Sequence, residues 1–221
     1  MAQLYAGTSG FSYPSWRGGF YPERAKPSDY LRLYAARLPS VALNATFYRL
    51  PSEEQLHRWA ADTPRGFRFA VKMSRRITHV GELSLIGTCC ERVQELGERL
   101  GPILVQFPPS RKRDDGFLRI LLDSLDPKLG YAVEFRNESW DAPEVARALE
   151  ARGVARMGAL QGAASFRYLR LRDPPYDDAA LATWAARLRQ LLAGGIDVYC
   201  YFKHEDDPRG ALCAEQLLQL A

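Results

Sequence analysis

Hydrophobic residues along this chain follow two alternating patterns. Short runs rich in β-branched and aromatic residues alternate with longer stretches whose apolar residues recur at positions i, i+3, i+4 and i+7. The short runs predict eight strands, at Gln3–Ala6, Val41–Ala45, Phe67–Val71, Ile103–Phe107, Tyr131–Phe135, Val154–Met157, Phe166–Leu171 and Val198–Phe202. The longer stretches predict helices at Tyr30–Leu38, Gln55–Ala61, Cys89–Leu100, Phe117–Leu125, Val145–Ala151, Leu181–Leu192 and Ala211–Leu220.

Strands that alternate with helices are joined by crossover connections, which place neighbouring strands in parallel. Eight such units close naturally into an α/β barrel of the TIM type, (β/α)8, and this is the predicted fold. Only a short connection around Gly162 separates the sixth and seventh strands, so the helix after strand 6 is expected to be missing or very short. An open, doubly wound sheet is the alternative. No linker divides the chain, which predicts one small barrel domain over residues 1–221.

Polar residues stand near the C-terminal ends of six predicted strands, in the phase opposite each strand's most apolar face. In barrels of this type the C-terminal strand ends form the reactive face. The residues in this phase include Asn44, Thr46, Lys72, Gln106, Glu134, Arg136, Arg170, Arg172, Tyr201 and Lys203. Because burying unpaired charges is unfavourable, the pattern predicts a ligand site here. A network of ion pairs that merely closes the top of the barrel is the alternative.

The loops after these strand ends add further cations and aromatic rings. Arg75, Arg76 and His79 follow the third strand, and His204 follows the eighth. The inward set is therefore basic, with Glu134 as its clearest carboxylate, and it suits a phosphate, a carboxylate or a nucleic-acid backbone. Four aromatic residues are candidates for stacking on a base or sugar: Tyr48, Trp140, Tyr176 and Tyr201.

Composition is that of an ordinary globular protein, with 47% hydrophobic and 25% charged residues in 221. A net charge of +4 is too small to name a nucleic-acid partner by itself. The sequence shows no signal peptide and no apolar run long enough to span a membrane, so a cytoplasmic protein without a membrane partner is expected. Cys89 and Cys90 lie in a helical pattern and are interpreted as small apolar packing residues.

Several motifs with known chemistry are absent from the sequence. It contains no G-x-G-x-x-G, no G-x-x-x-x-G-K-[ST] and no G-x-S-x-G. His79, His204 and Glu134 match no known metal-binding spacing, so no metal ligands are predicted. No cofactor is firmly implied, and a divalent metal, Mg²⁺ or Mn²⁺, is left open. The turn at 7–10 after the first strand resembles a phosphate-binding nest of backbone amides.

Eight runs carry a family resemblance: Gly7–Tyr13, Asn44–Arg49, Phe69–Lys72, Ile77–His79, Gly101–Pro109, Val133–Trp140, Tyr168–Leu171 and Val198–Lys203. In this order, over nearly the whole chain, they resemble the YecE-like family called domain of unknown function 72. The resemblance implies a TIM-type barrel and little about activity, because the family is named for lacking an established one. The chain departs from the family pattern at Arg172-Asp173, at Lys203–Asp206 and in the short connection after strand 6, where an expected acidic residue is absent.

The leading functional hypothesis is an enzyme that acts on a phosphorylated or nucleic-acid substrate, most simply a phosphodiester or phosphate-ester hydrolase. Lys72, Arg136 and Arg170 would hold the anion, and Glu134 would be the general base or would orient one. Asn44, Gln106 and Tyr201 would position the substrate. A non-catalytic nucleic-acid-binding module and a sugar-phosphate isomerase or lyase are the alternatives. The sequence leaves the oligomeric state open.

Overall fold

A computed structural model describes residues 1–203 and 207–221 of the chain. Its strands are β1 (Leu4–Thr8), β2 (Ser40–Leu43), β3 (Arg68–Lys72), β4 (Leu100–Phe107), β5 (Tyr131–Phe135), β6 (Ala155–Arg156), β7 (Phe166–Leu171) and β8 (Asp197–Phe202). Within the described residues the α-helices are α1 (Tyr30–Ala35), α2 (Glu53–Ala61), α3 (Ile86–Val93), α4 (Asp115–Asp123), α5 (Pro143–Ala151), α6 (Asp178–Ala193) and α7 (Arg209–Leu220).

The strands form one parallel sheet in the order β6-β5-β4-β3-β2-β1-β8-β7. Strands that follow one another in the chain are therefore neighbours, and β1 also pairs with β8 along its whole length. This order is that of a TIM-like barrel, nearly closed, with hydrogen-bonded strand pairing interrupted between β6 and β7. The predicted fold is confirmed, and the doubly wound alternative, which requires a reversal of strand order, is excluded.

Large and small side chains share the interior of the barrel. Tyrosines and a phenylalanine from β1, β7 and β8 face alanines from β2, β3, β5 and β6. Tyr5 stacks on Tyr199 with ring centroids 4.7 Å apart, and the Tyr201 hydroxyl lies 2.6 Å from the hydroxyl of Ser40 on β2. Because the big residues of one side meet the small residues of the other, the interior of the barrel is filled with side chains.

Most helix and strand boundaries lie within a few residues of the prediction, and one helix differs in kind. The helix predicted at Cys89–Leu100 ends at Val93 and continues as a tighter 3₁₀ turn over Gln94–Arg99. Gly97 adopts a positive φ of 57° inside that turn, which breaks the helical hydrogen-bonding pattern. Cys89 and Cys90 are buried and unpaired, as packing residues would be. Among the described residues, no helix has the length and apolar character needed to cross a bilayer.

The connection from β6 to β7 lacks a helix across residues 157–165, all of which the structure describes. The predicted loss of the helix after strand 6 is thus confirmed. Arg167, on the outer face of β7 and only 6% exposed, occupies the place that a helix would cover. Its guanidinium donates to the carbonyl oxygens of Leu160 at 3.0 Å, Gly162 at 2.7 Å and Ala164 at 2.7 Å. One buried arginine therefore satisfies backbone groups that a helix would satisfy internally.

Replacing Arg167 with Met keeps an unbranched side chain and removes every donor to this connection. We expect Arg167→Met to lower the free energy of unfolding by about 2–4 kcal/mol, since several carbonyl groups lose their partner. Urea denaturation measures the loss, and limited proteolysis should find new cleavage within residues 158–165. The exposed Arg24→Met is the control and should stay within about 0.5 kcal/mol of the wild type. An Arg167→Met protein as stable as the control would contradict this role.

Candidate functional site

Charged side chains converge at the C-terminal mouth of the barrel, above the interior tyrosines. Lys72 ends β3, Glu134 lies on β5, and Arg170 lies on β7. Arg136 and Arg172 follow two residues later in the same inward phase as Glu134 and Arg170. A pocket of ≈ 560 Å³ opens beside Glu134, Arg136 and Arg172, and it is lined by Pro109, Val133, Glu134, Phe135, Arg136, Arg156, Met157 and Arg172.

Glu134 holds the polar groups of this mouth together. The side chain is 6% exposed, and its Oε1 atom accepts hydrogen bonds from Arg136 Nε at 3.0 Å and Arg172 Nη2 at 2.7 Å. Its Oε2 atom accepts a hydrogen bond from the buried amide of Gln106 on β4. Burial alone would raise the pKa of Glu134, but the hydrogen bonds from Arg172, Gln106 and Arg136 lower it below the ordinary value.

The Glu134 carboxylate is poorly suited to accept a proton. Both oxygens of Glu134 already accept hydrogen bonds, and its lowered pKa keeps it ionised at neutral pH. A general base works best when its pKa lies near the operating pH. Glu134 is therefore better described as the group that orients Arg136 and Arg172 than as the general base expected from the sequence.

Lys72 lies half-buried at the end of β3, two strands away from Glu134 on β5. Its Nζ atom is 3.9 Å from the centroid of the Phe47 ring, a cation–π contact. Burial, together with the positive charges of Arg170 and Arg136, lowers the pKa of Lys72 to about 8, although Glu134 opposes the shift. A substantial fraction of this amine is neutral near physiological pH, unlike an exposed lysine.

Arg170 on β7 and Arg172 just after it each leave one hydrogen-bond donor unused. The Nε atoms of both Arg170 and Arg172 are buried and have no hydrogen-bond partner in the structure. Burial and the neighbouring charge of Arg172 lower the pKa of Arg170. Among the described residues, the ion pairs of this cluster join its cations only to Glu134. Four cations, Lys72, Arg136, Arg170 and Arg172, thus surround one carboxylate.

Residues 5–221 match the family model described as a protein of unknown function, DUF72. The chain belongs to the DUF72 family. It is 31% identical to the UPF0759 protein YecE of Escherichia coli K12 over 165 residues, 70% of this chain and 58% of that protein. It is 26% identical to the UPF0759 protein YunF of Bacillus subtilis over 158 residues, 63% of this chain and 53% of that protein. The matches thus span little more than half the length of these relatives.

Solved DUF72 structures share the whole barrel. A DUF72 protein from Thermotoga maritima superimposes with a TM-score of 0.85 at 26% sequence identity, covering 99% of this chain and 98% of that one. A DUF72 protein from Enterococcus faecalis has a TM-score of 0.79 at 18% identity, which bears on the fold alone. The family resemblance inferred from the sequence motifs is therefore confirmed.

The segment after β2 does not continue inward as alternation predicts. In this DUF72 barrel β2 ends at Leu43, Asn44 takes a helical conformation, and Ala45–Phe47 form a 3₁₀ turn. Thr46 is consequently buried, with its hydroxyl 2.8 Å from the Leu43 carbonyl and 2.7 Å from the Lys72 carbonyl. Thr46 joins β2 to β3 and does not face the mouth, so its prediction as a ligand contact is wrong.

Two other residues of this segment reach the surface. Asn44 lines a separate pocket of ≈ 450 Å³ with Phe11 and Trp59 rather than the central mouth. Tyr48 is 80% exposed and packs edge-on against Phe47, with ring centroids 5.0 Å apart. Tyr48 is thus available to a ligand at the rim.

Three aromatic candidates are packing residues. Trp140 is completely buried, stacks on Phe135 with centroids 4.1 Å apart, and donates from its indole nitrogen to the Arg111 carbonyl. Tyr201 belongs to the interior layer. Tyr176 packs edge-on against Phe202 on the outer face of the barrel. The rings of Trp140 and Tyr201 are enclosed by protein, whereas Tyr176 is partly exposed and lines a separate pocket outside the mouth.

The remaining candidates separate into rim and support. Arg76 is exposed and forms an ion pair with Glu82, and Lys203 is also exposed. His79 lies at the rim, where its ring packs edge-on against Phe47 with centroids 4.9 Å apart. Gln106 is buried behind Glu134 and supports it rather than lining the pocket. The predicted contact His204 lies outside the described residues.

Two residues acquire a role that the sequence did not give them. Arg172 shares the inward phase of Arg170, and only the fold shows that it binds the same carboxylate as Arg136. Arg156 lines the pocket and forms an ion pair with Asp141. Its strand, β6, is two residues long, too short for alternation to indicate which way a side chain points.

The turn after β1 is not a free nest of amides. The Thr8 amide donates to the Tyr34 hydroxyl at 2.8 Å, and the Ser9 amide donates to the Phe202 carbonyl at 3.1 Å. Gly7 is required beneath the turn because a Cβ there would lie 1.9 Å from the Ser40 carbonyl oxygen. In residues 1–203 and 207–221, no three His, Cys, Asp or Glu side chains are grouped as metal ligands.

Replacing Glu134 with Gln tests its role in ordering the arginines. We expect Glu134→Gln to lower the free energy of unfolding by about 1–3 kcal/mol at pH 7, because Arg136 and Arg172 lose the carboxylate with which each forms an ion pair. The folded-state pKa of Glu134 is lowered, so its stabilisation is present above the unfolded pKa and disappears as the pH falls through the folded one.

Urea denaturation of wild type and variant at about pH 7 and about pH 3 measures this difference. The difference should be largest at neutral pH and shrink in acid. Glu138→Gln, at an exposed position close by, is the matched control and should change little at either pH. An equal loss of unfolding free energy in Glu134→Gln and Glu138→Gln would contradict the role of Glu134 in ordering the arginines.

Proposed function

We propose that this DUF72 protein binds an anionic, phosphorylated ligand at the C-terminal mouth of the barrel. The observation that carries the proposal is the excess of positive charge: Lys72, Arg136, Arg170 and Arg172 are drawn together around Glu134 alone among the described residues. Bringing cations together out of water is unfavourable unless an anion compensates them. A bound phosphate group supplies that compensation.

The hydrogen-bonding pattern supports the same ligand. Arg170 and Arg172 each keep a buried Nε without a partner, and guanidinium groups match phosphate oxygens in geometry. Glu134 and Gln106 hold Arg172 in place before a ligand arrives, which reduces the entropy lost on binding. The pocket volume of ≈ 560 Å³ suits a small phosphate ester or one unit of a nucleic-acid backbone.

The position and the lowered pKa of His79 support phosphate-ester hydrolysis as the reaction. Burial and the charges of Lys72, Arg75 and Arg136 lower the pKa of His79, so its imidazole is neutral at pH 7. A neutral imidazole beside an anion site can accept the proton of an attacking water, and the cations would stabilise the charge that develops on the phosphoryl oxygens. This assignment transfers the general-base role from Glu134 to His79.

Anion binding is tested by thermal unfolding with sulfate, phosphate, sugar phosphates and short oligonucleotides. A ligand at about 100 times its Kd should add roughly 2.7 kcal/mol, a Tm increase of about 5–10 °C for a chain of this size. Arg170→Gln should abolish the increase, and the exposed Arg24→Gln should retain it. A large increase with oligonucleotides alone, falling steeply with salt, would favour the nucleic-acid-binding alternative. No increase with any anion would refute the site.

The affinity for sulfate should depend on pH through Lys72. A bound anion favours the charged amine, so binding should be strongest below the free-state pKa of about 8 and weaken as the pH rises through it. Sulfate itself stays fully ionised over this range. Calorimetric titration between about pH 6.5 and pH 9 measures the effect. Lys72→Arg should bind sulfate with little pH dependence, and a wild type that behaves in the same way would contradict the assignment.

Hydrolysis is tested with p-nitrophenyl phosphate and bis(p-nitrophenyl) phosphate. If His79 is the base, His79→Gln should lower kcat by about 100-fold or more while the sulfate-induced Tm increase is retained. His57→Gln, at an exposed position on α2 where the side chain pairs with Glu95, is the matched histidine control. Turnover that is equal in the wild type and His79→Gln would remove His79 from the mechanism.

A further inference from the structure

We propose that Lys72 is a carbonyl-reactive amine, which forms an imine with a phosphorylated aldehyde or ketone whose anionic group is bound by the arginines of the mouth. This inference rests on the anion site proposed above. It adds a reactive group and a substrate class to that site, and it gives the isomerase or lyase alternative a chemical basis.

The first support is the position of the amine. Lys72 ends β3 on its inward face, where the interior layer stops and the mouth begins. The Phe47 ring lies against Nζ, and Phe47 is itself packed by Tyr48 and His79. The Phe47 ring therefore covers part of the amine, and the charges of Arg170 and Arg136 act on it from across the mouth.

The second support is the set of charges around the amine. From β5 and β7 the groups that act on Lys72 are Arg170, Arg136, Arg172 and Glu134. From the turn after β3, His79 interacts with it electrostatically. In the described part of the chain no ion pair joins Lys72 to a carboxylate, because Glu134 is occupied by the two guanidinium groups. Partial burial and the positive neighbours favour the neutral amine, whereas Glu134 and the Phe47 ring favour the charged one; burial and the arginines give a lowered pKa.

The neutral amine is the form that attacks a carbonyl. With its pKa lowered to about 8, roughly a quarter of Lys72 is neutral at pH 7.5, compared with about 0.1% of an ordinary exposed lysine. The mouth thus combines an amine that is available for attack with cations that would hold the anionic end of the substrate beside it.

The chemical step balances without any additional oxidant or reductant. The lone pair of the amine forms a C–N bond to the carbonyl carbon, and the carbonyl oxygen takes up a proton. The resulting carbinolamine loses one water molecule to give a protonated imine. The imine carries the same single positive charge as protonated Lys72, so the product fits the electrostatics of the occupied site. A protonated imine withdraws electrons from the adjacent C–H and C–C bonds, which is the chemistry of isomerases and lyases.

The test is reductive trapping followed by peptide mass spectrometry. Wild-type protein is incubated with glyceraldehyde 3-phosphate, or with glyceraldehyde, and sodium cyanoborohydride, whose hydride reduces an imine to a stable secondary amine. The other lysines of the chain are Lys26, Lys112, Lys128 and Lys203, all exposed, and they serve as internal controls. We expect labelling of Lys72 to be at least about tenfold faster than labelling of any of them.

Three further results are expected. The phosphorylated aldehyde should label Lys72 about tenfold faster than glyceraldehyde, because the arginines bind its phosphate. Sulfate should suppress labelling of Lys72 and leave the exposed lysines unaffected. Lys72→Arg should lose the label, because a guanidinium group does not form an imine under these conditions. The competition by sulfate is measured on the wild type, so the test does not depend on the folding of a variant.

The outcomes separate this inference from the proposed function. If sulfate raises Tm but Lys72 is labelled no faster than the exposed lysines, the imine is refuted and the anion site remains. If Lys72 is labelled rapidly but sulfate neither binds nor competes, the amine is reactive without an anion site, and the substrate class proposed here is wrong. If sulfate does not bind and Lys72 is not labelled selectively, both proposals fall.

Discussion

Every second side chain of each strand in a closed parallel barrel points into one shared interior, and that space must be filled. Here the tyrosines of β1, β7 and β8 fill it against the alanines of the opposite strands. Because this packing occupies the middle of the barrel, the next inward-facing residues along the strands lie at its C-terminal mouth. Lys72, Glu134 and Arg170 are those residues. The position of the site thus follows from the packing beneath it.

At the mouth, electrostatics replaces apolar packing as the organising force. Glu134 accepts hydrogen bonds from residues of β4 and from the segments that follow β5 and β7, so one carboxylate ties together three parts of the barrel. Both oxygens of the Glu134 carboxylate accept hydrogen bonds in this arrangement. Burial, together with the positive charges of Arg170 and Arg136, lowers the pKa of the Lys72 amine, and burial also lowers the pKa of Arg170.

The interruption of strand pairing between β6 and β7 is stabilised in a different way from the mouth. Ladder pairing is interrupted between β6 and β7, and the chain between them forms no helix. Arg167 compensates by donating to the carbonyls of that connection from a buried position. The short β6 also opens the wall beside Glu134, where Met157 and Arg156 line the pocket. The lost helix and the accessible site therefore lie on the same side of the molecule.

Local periodicity was sufficient to determine the strands, most of the helices, the missing sixth helix and the inward phase of Lys72, Glu134 and Arg170, because a period of two or 3.6 is a property of neighbouring residues. The sequence motifs were sufficient to identify the family. What only the tertiary structure decided depends on residues far apart in sequence. Thr46 turns away because β2 ends early at Leu43, Trp140 is enclosed by Phe135, and Glu134 is occupied by Arg136, Arg172 and Gln106. No local pattern reports such contacts, since they form only when the barrel brings the strand ends together.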